Sequence, residues 1–102
     1  MLDLNQPFHP CHLGYTEVYP LYWTCEQGAY TFKAKYTHDL WYLYCDNTKF
    51  GDVDATLLDF FKHAERVAKE NAYKERWEQE FIAFVNAAYR QIKLDNLLDL
   101  SE

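Results

Sequence analysis

Four consecutive residues near the N-terminus, His9-Pro10-Cys11-His12, place two imidazoles and a thiol in one short segment. Both groups are zinc ligands, and Cys25, His38 and Cys45 hold the further donors that a tetrahedral site requires. The spacing argues against that chemistry. The chain contains no C-x-x-C, and adjacent Cys11 and His12 have poor geometry for a shared ion. We expect neither a metal nor any other cofactor.

Nucleophilic catalysis would need Cys11, Cys25 or Cys45 beside a histidine base. Cys25 and Cys45 fall in strand-like runs, where a reduced cysteine is usually a small buried hydrophobe. Asp59 and His63 stand four residues apart on a helical pattern and read as an ordinary surface pair. There is no glycine-rich phosphate loop, no serine elbow and no H-E-x-x-H. The expectation is a protein that is not an enzyme.

Aromatic side chains are the remaining resource. The chain has nine Tyr, seven Phe and three Trp, and twelve of these rings lie between Phe8 and Phe50. A core this small cannot easily enclose them all. Trp23, Trp41, Tyr42 and Tyr44, with Tyr22 nearby, are of the types that dominate interface hot spots, and they are the expected binding residues. Tyr30, Phe32 and Tyr36 are expected in the core.

The elements that must carry these residues can be read from their periods. Residues 1–14, punctuated by Pro7, Pro10 and Gly14, read as an extended, weakly structured arm. Tyr15–Tyr19 alternates and reads as a short strand ended by Pro20. Leu21–Cys25 and Ala29–Tyr36 form a short hairpin with a bulge, closed by Gly28, and Leu40–Cys45 follows a turn at Thr37-His38-Asp39. In this last strand Trp41 and Leu43 point one way while Leu40, Tyr42 and Tyr44 point the other, so it is apolar on both faces. Asp46-Asn47 and Gly51-Asp52 bracket what reads as a loop.

Beyond it the period becomes helical. Asp54 or Thr56 caps a helix whose apolar face includes Leu57, Phe60, Phe61 and Ala64. A second stripe runs from about Tyr73 to Lys93. Only Glu70-Asn71-Ala72 separates them, yet the apolar stripe shifts by roughly 120° there. An unbroken helix of about 40 residues would also be roughly 60 Å long. Two helices with a break near Asn71 are therefore expected. Residues 94–102, leucine-rich and acidic, read as a frayed helix end.

The fold class expected is α+β: a three- or four-stranded antiparallel sheet over about 15–46, then two C-terminal helices over about 54–93 packed on one face. Residues 15–102 would form one domain. The three cysteines cannot all pair, and the N-terminus lacks the basic and apolar regions of a secretory signal, so cytoplasmic residence is the default. No stretch approaches the roughly 18 consecutive apolar residues that a membrane span needs. The net charge of −6 and the scatter of Lys and Arg argue against direct nucleic-acid binding. A small acidic cytosolic interaction module fits best, one that occupies the surface of a partner protein or of a second copy of itself. An inhibitor or adaptor, for instance one encoded by a mobile element, would have this form. The alternative is a small-ligand or enzymatic domain with a pocket between sheet and helices, built around His38, His63 or a cysteine.

Overall fold

Antiparallel pairing runs from Thr16 to Val53 without a crossover, each strand bonded to its neighbour in sequence. The computed structural model describes residues 3–101. Its strands are β1 (Thr16–Tyr19), β2 (Tyr22–Gln27), β3 (Tyr30–Thr37), β4 (Leu40–Cys45) and β5 (Thr48–Val53), followed by helices α1 (Leu57–Glu70) and α2 (Arg76–Ser101). The α+β class and the sheet-then-helices order hold. The strand count is five, not three or four.

The additional strand is β5, in the segment expected to be a loop. Its register slips where Leu43 faces Gly51 and Tyr44 faces Lys49, leaving Phe50 as an extra residue. A bulge of this kind breaks the two-residue alternation by which a strand is recognised. Phe50 nonetheless packs inward, 5.1 Å from the Phe81 ring.

Tight turns fix the meander. Tyr22↔Lys35 through Gln27↔Tyr30 is an unbroken ladder, so the loop is the two residues Gly28-Ala29 without a bulge. Gly28 has φ +60°, and a Cβ there would also lie 2.7 Å from Glu80 Oε2 on α2. Glycine satisfies both constraints. Between β3 and β4, His38 and Asp39 both take positive φ, the pattern of a I′ turn. Between β1 and β2, Pro20 precedes Leu21, whose φ of +69° is unusual for a leucine.

The segment expected to be an extended arm is part of the fold. Pro10–Leu13 forms a 3-10 turn ended by Gly14 at φ 89°. The Phe8 N–H donates to Ala55 O at 3.0 Å, and the N–H groups of Leu57 and Leu58 donate to Gln6 O and Leu4 O at 2.9 Å each. Phe8, Pro10 and Leu13 are buried. Proline and glycine here mark the ends of a turn rather than a lack of structure.

Thr56 Oγ1 accepts from the Asp59 N–H at 3.2 Å and starts α1. The break comes where the shift of the apolar stripe placed it: Asn71 takes the left-handed conformation at φ 52°. Its N–H donates to Ala68 O and the Ala72 N–H donates to Val67 O, a Schellman closure. α2 then runs for 26 residues, about 39 Å, so residues 94–101 continue the helix. Neither Gly nor Pro interrupts them.

Phe32 sits at the centre of the core, fully buried, with the rings of Phe81 and Phe84 of α2 at 5.0 and 5.7 Å. Its face of the sheet also carries Ala34, Leu43 and Cys45, all buried. Tyr36, expected in this core, shares the face but lies at its margin and is exposed. No helix among the described residues is long and apolar enough to cross a membrane.

Candidate functional site

Strand register divides the five expected binding residues between two faces. Trp23 lies opposite Ala34, and Trp41 opposite Tyr36, so both belong to the face covered by helices. Trp41 is 7% exposed, a core residue rather than an open contact. Tyr22 and Tyr42 both lie opposite Lys35, and Tyr44 lies opposite Lys33. These three tyrosines occupy the other face.

On the covered face the two tryptophans meet the imidazole cluster. The His9 ring stands edge-on to Trp23 at 4.9 Å and to Trp41 at 5.0 Å, with the His12 ring 6.1 Å away. The Cys11 N–H donates to His9 Nδ1 at 3.0 Å; a neutral His9 therefore carries its proton on Nε2. Burial, and then the neighbouring His12, lower the His9 pKa, while Glu17 opposes the shift. Burial lowers the His12 pKa as well, and His12 Nδ1 is buried without a partner among the described residues. The Cys11 thiol is pushed up by burial, so it is held away from the reactive thiolate form. Among the described residues no three His, Cys, Asp or Glu side chains converge in a way that could hold a metal ion.

The remaining candidates are dispersed. Cys25 Sγ accepts from Gln27 Nε2 at 3.4 Å, and Cys45 is buried with its pKa raised, mainly by desolvation. His63 does not pair with Asp59: Arg66 donates to its Nδ1 at 3.0 Å instead. His38 Nδ1 lies 3.3 Å from its neighbour Thr37 Oγ1.

The open face has a more regular composition. Tyr22, Lys35, Tyr42 and Asp52 form one cross-strand row, and Thr24, Lys33, Tyr44 and Lys49 form the next. The Lys35 ammonium lies 5.4 Å from the ring centres of both Tyr22 and Tyr44, and that of Lys49 lies 4.2 Å from Tyr42. Tyr19 stacks on Tyr22 at 4.8 Å, extending the surface to β1. Lys33 Nζ donates to Asn47 Oδ1 at 2.9 Å. Among the described residues none of these lysines forms an ion pair.

Lys33, Lys35 and Lys49 were not singled out in the sequence, although Lys33 and Lys35 alternate with core residues in β3. The signal was there in combination. Polar positions of β3 must pair with the outward positions of β4, and those are Tyr42 and Tyr44. With Glu26 and Asp52 as its acids, this face has a small positive excess on a chain of net charge −6. No protein-family model, curated protein or solved structure matches the chain.

Proposed function

We propose that this protein is a small binding module whose open sheet face docks on an acidic patch of a partner protein. The observation that carries this reading is the placement of the Lys35 and Lys49 ammonium groups on the rings of Tyr22, Tyr42 and Tyr44, with no carboxylate paired to them among the described residues. Tyrosine offers a large contact area with few rotors, so ordering it on binding costs little entropy. A lysine resting on a ring is partly ordered already and keeps its ammonium available to an incoming carboxylate. The face thus combines apolar anchors with cations that select an acidic partner. Its action would be occupancy of that surface, as an inhibitor or adaptor in the cytoplasm, with no reaction performed. Three lysines are few for a phosphate backbone, and the rest of the chain would repel one.

The test compares the wild type with Tyr42→Ser/Tyr44→Ser and Lys35→Glu/Lys49→Glu, using Phe32→Ala as the core control. A protein captured by the wild type should be lost by both surface variants, while their melting temperatures stay near the wild-type value. Rising salt should weaken capture. Self-association in sedimentation that both variants abolish would instead identify a second copy as the occupant. Tight binding of a single-stranded oligonucleotide to the same face would overturn the reading.

A further inference from the structure

Five strands span about 19 Å between the outer strand axes, roughly twice the width that one helix covers. α2 lies over Phe32, and the N-terminal turn covers Trp23 and Trp41. α1 packs chiefly against α2, through Phe61 on Tyr89, and against Phe8 through Phe60. Between β5, α1 and the first turns of α2 this arrangement leaves a cleft of about 610 Å³. That volume lies within the range of small-molecule sites.

The cleft has an aromatic floor and an acidic rim. Phe50 meets Trp77 at 4.8 Å and Phe81 at 5.1 Å, and Phe60 and Val67 of α1 form the opposite wall. Asp52, Asp54, Asp59 and Glu78 contribute to the lining, against Lys74 and His63. Glu78 is already engaged, accepting from the Lys74 N–H at 2.8 Å. The Trp77 indole N–H is also satisfied, donating to Glu75 Oε2 at 2.6 Å. Asp54 and Asp59 are exposed and take part in no ion pair among the described residues.

We propose that this cleft binds a small amphipathic cation, an aromatic or short aliphatic amine, with its apolar body on Phe50, Phe60 and Trp77. Its ammonium group would face the rim at Asp54 and Asp59. Two physical terms select this class. The apolar walls favour removal of a ring or short chain from water. The uncompensated carboxylates repel an anion of the same shape. The cleft shares only Asp52 with the open sheet face and none of its tyrosines or lysines, so it stands or falls independently of the docking role.

The experiment is titration of the whole protein with 2-phenylethylamine, followed by calorimetry and by amide and indole NMR shifts. 2-Phenylethanol and phenylacetate serve as neutral and anionic analogues. The amine should give saturable shifts at the Trp77 indole and at β5 amides, and bind at least about tenfold more tightly than phenylacetate. Asp54→Asn/Asp59→Asn should weaken the amine by about tenfold while leaving the alcohol unchanged. Both residues are exposed, so an unchanged melting temperature will verify the fold of this variant. Absence of saturable shifts, equal binding of phenylacetate, an unaffected double variant, or shifts confined to the open face would each overturn the proposal.

Discussion

The rings of Phe61 and Tyr89 stack face to face, 4.6 Å between centres and 5° between planes, and join the two helices. Phe61 is fully buried and Tyr89 nearly so. Phe61→Ala should cost about 3–5 kcal/mol, because the void between packed helices cannot close. A double-mutant cycle with Tyr89→Leu should recover a coupling of about 0.5–1.5 kcal/mol for the ring pair. Denaturant unfolding of the four proteins measures both.

Gly28 is doubly constrained, by a positive φ and by the Glu80 carboxylate. Gly28→Ala should therefore destabilise by about 1–2 kcal/mol from the backbone alone, with the close contact adding to it. Glu80→Ala in the same chain should restore the contact part and leave the backbone part. Full restoration in thermal melts would show that the turn tolerates a side chain.

Leu21 presents the opposite case. It holds φ +69° with its side chain exposed, where nothing in the core requires a leucine. Leu21→Gly should raise stability by about 0.5–1.5 kcal/mol, the left-handed strain removed less the added freedom of the unfolded chain. Equilibrium unfolding in urea checks the sign.

Acid should loosen the N-terminal segment. The folded-state pKa values of His9 and His12 lie below the ordinary imidazole value of about 6.5. Above that value both states are neutral and stability is unaffected. As pH falls through it, the unfolded chain takes up protons first, so stability declines until the folded-state values are reached. Protonating His9 Nδ1 also removes the acceptor for the Cys11 N–H. Urea midpoints should fall between pH 7.5 and 5.5, and His9→Gln/His12→Gln should flatten the slope.

Much of the scaffold was legible because local and tertiary preferences agree. Phe32 and Ala34 alternate with Lys33 and Lys35, and the structure buries the first pair and leaves the second on the open face. The turn at Asn71 showed itself through the change in apolar phase, with no glycine or proline to mark it. β5 was hidden because its bulge at Phe50 disrupts the alternation, and because Asp46 and Asn47 before it, and Gly51 and Asp52 within it, are turn formers. In the N-terminal segment Pro7, Pro10 and Gly14 give a stronger local signal than the isolated apolar residues Phe8 and Leu13, whose burial depends on contacts with α1 and the sheet. For the candidate site, the opposition of Trp41 to Tyr42 followed from strand parity. The partners of each side did not: His9 on the tryptophans and lysines on the tyrosines depend on contacts between elements.

The bonds from residues 4–8 to 55–58 also set an order of events in time. Every strand closes on its neighbour through a short loop, so the meander can assemble as soon as each hairpin is complete. Residues 4–8 must bridge about 50 residues to reach their backbone partners at 55–58, at a larger loop-closure cost. During synthesis this segment emerges before its partners and docks late, after Ala55 and the start of α1 have emerged. Until then the rings of Trp23 and Trp41 lack the cover of His9.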